Sequence, residues 1–199
     1  MDKFINYLKE IIFFPKKAFK RLSQEKNLNS YFFYIVIYQI IFGFAYRFLY
    51  SELLRPQSPM LSLDPGYQKV LKTYDILFYT YTPITTIIFW FGITGLIYLI
   101  IKIFSKKGSF ALFFVAQGLI GIIVGTTNLA LQLLNMLISI PLLRVIDFGV
   151  SVWSIYLSVL AISIIFSISK KKSLLIILIV FAILITLLIS SFIFLLTIV

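Results

Sequence analysis

Gln117, Gly121, Gly125, Asn128, Gln132 and Asn135 lie inside one of the most apolar stretches of this chain. They recur by steps of four, four, three, four and three. The average step matches the repeat of an α-helix, about 3.6 residues, so all six share one face. Four of them are side-chain amides, each carrying both hydrogen-bond donors and acceptors. Gly121 and Gly125 make the G-x-x-x-G spacing that lets two apolar helices approach closely. Such a face offers uncharged chemistry. It can hydrogen-bond to a neighbouring helix, or it can line a hydrated path. Interhelical bonding, worth about 0.6 kcal/mol per contact on average, is the plainer reading.

Catalytic chemistry has little to draw on. The chain holds no His and no Cys. That removes imidazole acid–base chemistry, thiol nucleophiles, disulfides and Cys/His zinc sites together. The best remaining constellation is a charge cluster of Arg47, Asp75 and Asp147, each near the same end of its apolar run. Arg47 is placed to snorkel, or to pair with Glu52, Asp75 or Asp147. A carboxylate dyad of Asp75 and Asp147 is the only enzyme reading, and it is weak. The sequence therefore reads as a non-enzyme, with no cofactor and no metal site.

Apolar runs must position these residues. Of 199 residues, 61% are hydrophobic, and the mean hydropathy is +1.04. Runs of about 20 apolar residues match a hydrocarbon core of roughly 30 Å. The pattern predicts an all-α, polytopic membrane protein with five transmembrane helices in one bundle. The expected spans are 31–50, 75–103, 109–137, 148–168 and 174–198, together a membrane domain over 31–199. Residues 1–30 form a basic amphipathic segment. There, Phe4, Leu8, Ile11 and Ile12 share one helical face, and Pro15 opens a second short helix. Asn29 or Ser30 is expected to cap the first span, and Asp64 and Pro65 to begin the second helix outside the membrane. Gly108 suits the end of one helix and Ser109 the start of the next. No cleavable leader is evident, so the first span is expected to act as its own insertion signal.

Weaker polar stripes face the one in the third span: Gln39, Gly43 and Arg47 in the first, and Asp147, Ser151, Ser154 and Ser158 in the fourth. Spans one, three and four are therefore expected to meet, with the fifth largely against lipid.

The net charge of +11 does not point to nucleic acid, because the charges cluster between apolar runs. Of 18 Lys and Arg residues, those before the first span, those at Lys102, Lys106 and Lys107, and Lys170 to Lys172 all fall on one side. Only Arg47, Arg55, Lys69, Lys72 and Arg144 fall on the other. The positive-inside rule then puts the N-terminus in the cytoplasm and the C-terminus outside a cell membrane. The expected partners are the bilayer, anionic lipid heads at the basic face, and a second copy or another membrane protein.

"FPKKAFKRLSQEKN" before the first span resembles the Pro-x-x-x-Phe segment of the prokaryotic branch of the Yip family, the Ypt/Rab-interacting-protein-like membrane proteins. "KIFSKKGSFALFFVAQGLIG" resembles that family's basic, Gly-containing turn into the third span. Pro15, Phe19, Gly108, Phe110 and Gly118 are the matching positions. A fourth span bearing Trp153, a Lys-rich turn and an apolar fifth span complete the order. The resemblance implies five helices, a cytoplasmic N-terminus and an outside or lumenal C-terminus. Eukaryotic members associate with small GTPases and shape vesicle membranes, and some prokaryotic members accompany exporters. This sequence lacks the Asp-Leu-Tyr-Gly-Pro type motif of the eukaryotic members, so the resemblance does not carry GTPase binding over to it. The leading expectation is a non-enzymatic protein that acts through membrane association and helix packing. The alternative is a small transporter, or an exporter's accessory subunit, with a polar path along the third span.

Overall fold

Prolines, serines and glycines between the apolar runs divide the chain into helices. The structure, a computed structural model, describes residues 2–54, 65–138 and 141–198. Side chains within them are described for 3–45, 84–135, 138, 142–187, 189 and 190. Among these residues the structure is entirely helical: α1 (Asp2–Phe13), α2 (Pro15–Leu22), α3 (Asn29–Leu54), α4 (Pro65–Phe104), α5 (Phe110–Leu137), α6 (Pro141–Phe166) and α7 (Lys170–Ile198).

Pro15, Pro65 and Pro141 each occupy a first helical position, where the missing N–H costs nothing and the fixed φ suits the helix. Ser109 caps α5 through a 3.2 Å bond that its hydroxyl accepts from the Leu112 N–H. Ser169 caps α7 in the same way, accepting from the Lys172 N–H at 3.3 Å. Several expected boundaries move. The helix holding the fourth span starts at Pro141 rather than 148, so Asp147 sits inside a helix, two turns from its start. Asn27, not Asn29 or Ser30, accepts the N–H at the start of α3, at 3.3 Å. Gly108 lies four residues beyond the end of α4, in the turn that leads into α5.

Contacts along α5 fix the topology. Phe32 stacks on Phe114, Ile35 faces Gly118, Gln39 faces Gly121, and Phe42 faces Gly125. Thus α3 and α5 run parallel. Trp90 meets Phe114 and Tyr98 meets Phe110, so α4 runs antiparallel to α5. Ser158 meets Gln117 and Phe166 meets Phe113, so α6 is antiparallel to α5 as well. α5 is the central helix, and α7 packs on α6 and α4. Among the described residues of α7 only Ser173, Ile176, Ile177 and Val180 are buried, while Leu174, Leu175, Leu178 and Phe181 are exposed. Among the described residues, three helical stretches are long and apolar enough to cross a membrane: Ile84–Phe104, Phe110–Asn135 and Leu142–Phe166. The apolar stretch of α3 there, Asn29–Ala45, is shorter.

α1 and α2 fold beneath the bundle instead of lying wholly apart from it. Tyr7, Ile11, Ala18, Phe19 and Leu22 are buried in the same core as α5 and α6. The buried face of α1 is therefore centred on Tyr7 and Ile11, and Ile12 is left exposed. Arg21 ties the pair together. Its guanidinium donates to Glu10 at 2.7 Å and lies over the Tyr7 ring at 4.6 Å. Burial pushes the Tyr7 phenol up to about 12 against the pull of Arg21.

Buried residues of α5 end at Ile123. Among the described residues the tight packing lies at the α1–α2 end. The first-span, third-span and Lys-turn ends all gather at that packed end, along with most of the basic residues.

Candidate functional site

The six-residue face of α5 lies where α3, α4 and α6 come closest, and it changes character along its length. Gln117 sits nearest the packed end. Its Oε1 accepts the Ser158 hydroxyl of α6 at 3.3 Å, while its Nε2 is buried without a hydrogen-bond partner. A turn further on, a Cβ at Gly121 would lie 3.6 Å from the Gln39 amide nitrogen of α3, an ordinary contact. At Gly125 a Cβ would sit 3.1 Å from the Tyr38 hydroxyl and 3.2 Å from the Phe42 ring. Asn128 has a buried Oδ1 with no partner.

The face does not close. A cavity of about 450 Å³ opens over it. The α5 face from Gln117 to Gln132 forms its floor, Gln39 and Phe42 one wall, Ser154 and Ser158 the other, and Trp90 of α4 also lines it. The reason is geometric. α3 and α6 each pack on α5, but no comparable packing joins α3 to α6 among the described residues. The two helices leave a slot above the small residues of α5.

Gln132 also lines a smaller recess of about 80 Å³, shared with Asn135, Arg144 and Asp147. Asn135, Arg144 and Asp147 are exposed there. The side chains of Arg47 and Asp75 lie outside the described residues, so of the expected charge cluster the structure places Asp147 alone. Asp147 shares its recess with Arg144, one turn away on α6, and its backbone carbonyl accepts the Ser151 hydroxyl at 3.0 Å. Ser154 and Ser158 reach the cavity, while Ser151 bonds to its own helix.

Some residues of this site escape a sequence reading. Tyr38 donates to the Ile122 carbonyl at 3.2 Å and shares a 2.9 Å bond with Thr126, pinning α3 to α5. Its position beside Gln39 gives the clue, since the two fall on adjoining faces of one helix. Trp90 sits between Phe91 and Phe114, and only the fold could bring it to the cavity. Of the described glycines in α5 the tightest is Gly118, outside the G-x-x-x-G pair, where a Cβ would meet Ile35 at 2.6 Å.

These contacts rank the glycines. Gly121→Ala is expected to leave stability unchanged or to raise it by up to about 1 kcal/mol, the helix-propensity gain over Gly. Gly125→Ala is expected to lower it, because the pinned Tyr38 cannot withdraw. Unfolding of both variants in one detergent measures the order.

At the packed end, a second recess of about 470 Å³ is lined by Lys106, Lys107 and Lys172 from two turns. Ser105 joins those turns by donating to the Phe166 carbonyl at 2.8 Å. Lys102 satisfies the carbonyls of Lys106, Lys107 and Gly108 at 3.2, 3.3 and 3.0 Å. Among the described residues no cluster of acidic, His or Cys side chains is arranged to hold a metal.

A family model, the Yip1 domain, matches residues 9–192. No curated protein and no solved structure matches the chain.

Proposed function

The chain belongs to the Yip1 domain family of membrane proteins, and from that premise we propose that it is a five-span, non-enzymatic protein acting through contacts with other membrane helices. One observation carries this reading. Gly92 and Gly95 on α4 and Gly149 on α6 face open space, with nothing within 4 Å of a Cβ built at any of them. A glycine costs a helix about 1 kcal/mol relative to alanine. Among the described residues no contact uses the close approach these three permit. Small residues open to the bilayer are what a second helix needs to pack closely, and Gly92 and Gly95 lie within an apolar stretch of spanning length.

In this reading α3 and α7 complete five spans, and the basic end faces the cytoplasm of a cell membrane. Two features support that orientation. The basic N-terminal helices and both Lys-rich turns gather at one end, as the positive-inside rule asks. Phe13 and Phe14 are 71% and 64% exposed beside exposed Lys16 and Lys17. That combination suits a surface resting on anionic lipid heads. The partners would be a second copy or another membrane protein.

The test replaces Gly92 and Gly95 together by Leu. Energy transfer between labelled copies in bilayers is expected to fall, while the thermal midpoint in detergent holds or rises. Transfer unchanged in both copies and in mixed native membranes would remove this face as the contact surface.

A further inference from the structure

We propose that the cavity over α5 binds the uncharged, hydroxyl-bearing head of a neutral lipid such as a diacylglycerol. Three observations carry this. First, the cavity is built and polar, yet unsatisfied. Gln39 is 93% buried, as its relative exposure of 7% shows, has no hydrogen bond among the described residues, and lines the cavity with its amide towards Gly121. Gln117 adds a buried donor and Asn128 a buried acceptor, both without partners. A buried polar atom left unpaired is costly, so the Gln117 donor and the Asn128 acceptor, beside the Gln39 amide, point to an occupant that both donates and accepts.

Second, no charged side chain is among the described residues lining the cavity. A phosphate or carboxylate brought there would be a buried, unpaired ion, which is far more costly than an unpaired amide. A hydroxyl and an ester carbonyl fit the available donors and acceptors without charge.

Third, the space opens sideways. Because α3 and α6 do not pack closely on one another among the described residues, the slot opens between them along the apolar length of α5. Its end towards α1 and α2 is closed by the core around Phe113, Leu119 and Leu157. At about 450 Å³ it falls within the range of roughly 300–1,000 Å³ typical of ligand sites. Trp90 and Phe42 supply an apolar wall for the first carbons of a chain. The result is a pocket closed towards α1 and α2 and open between α3 and α6.

Trp90 reports on occupancy, since the chain has two tryptophans and Trp153→Phe leaves it alone. The Trp153→Phe protein is placed in phosphatidylcholine nanodiscs and titrated with a diacylglycerol carrying brominated chains. A parallel titration uses phosphatidylglycerol with the same chains. The neutral lipid is expected to quench Trp90 saturably at low mole fraction, and the charged lipid only in proportion to its abundance. Gln39→Leu removes an unpaired buried amide at similar volume. It is expected to abolish the saturable quenching while leaving the lipid-free thermal midpoint unchanged or raised. A loss of stability in Gln39→Leu would mark the amide as structural and overturn the proposal. Equal quenching by both head groups would overturn it too. So would displacement of the brominated diacylglycerol by free glycerol, which would assign the cavity to a water-soluble polyol.

Discussion

Gly108→Ala is expected to destabilise the fold by about 2–5 kcal/mol, combining a left-handed backbone penalty with overpacking. Gly108 has φ +74°, a region an L side chain occupies at a cost of about 1–2 kcal/mol. A Cβ built there would lie 2.6 and 2.7 Å from Cδ1 and Cε1 of the Phe166 ring, and 3.1 Å from the Ile165 carbonyl oxygen. Phe166 is fully buried between Tyr98 and Phe113, so its ring has nowhere to turn. The carbonyl oxygen is backbone and yields even less. The two Lys-rich turns interlock at this point, with Ser105 donating to the Phe166 carbonyl and Lys102 to that of Gly108. A displaced Phe166 would therefore loosen α4, α5 and α6 together. Asn tolerates the left-handed region better than Ala, but it carries the same Cβ. Gly108→Asn should therefore recover only the backbone share of the loss. Lys107→Ala, one residue away and exposed, should stay within about 0.5 kcal/mol of the parent. Unfolding of the three variants in mixed micelles measures the order. Full recovery in Gly108→Asn would show that the contact with Phe166 is slack.

The repeat of polar and small residues in α5 could be read from the sequence because a helix converts spacing directly into a face. Period and punctuation likewise gave the cap at Ser109 and the helix start at Pro15, each a local property. What the sequence could not supply is distance between helices. It marked Gly121 and Gly125 for close packing, yet a Cβ at Gly121 would make only an ordinary contact, while Gly125 is tight and Gly118 tighter still. Which glycine is tight depends on which branched side chain of α3 stands opposite, and a single helix carries no trace of that. The same holds for Trp90, brought to the cavity by the antiparallel pairing of α4 with α5. The buried face of α1 differs by one position from the face of Phe4, Leu8, Ile11 and Ile12 for a related reason. Tyr7 joins the buried face because Arg21 and Glu25 meet its ring and hydroxyl, leaving Ile12 on the outside.

Gly118→Ala is the second substitution with a large expected effect, and it tests the parallel packing of α3 on α5 directly. Its Cβ would meet Cδ1 and Cγ2 of Ile35 at 2.6 Å and Cγ1 at 3.0 Å. Ile35 is completely buried, and a β-branched side chain on a helix has essentially one rotamer. It cannot rotate aside, so the helices must part. Overpacking of this kind costs about 1–3 kcal/mol, and the helix-propensity gain of Ala over Gly returns at most about 1 kcal/mol of it. A net loss of stability is expected, with Gly118→Leu worse than Gly118→Ala. Parting α3 from α5 would also lengthen the bonds from Tyr38 to Ile122 and Thr126, two turns further along. The cavity bounded by Gln39 should then widen, which quenching of Trp90 by a water-soluble quencher would register. Ile35→Ala removes all three clashing atoms and by itself leaves a hole, at a cost of about 2–5 kcal/mol. In the double variant the new methyl at position 118 partly fills that hole. The double variant should therefore lose clearly less than the two single losses added together, a coupling that only residues in contact display. Strict additivity would place Ile35 away from Gly118 and leave the close approach of α3 and α5 without its contact.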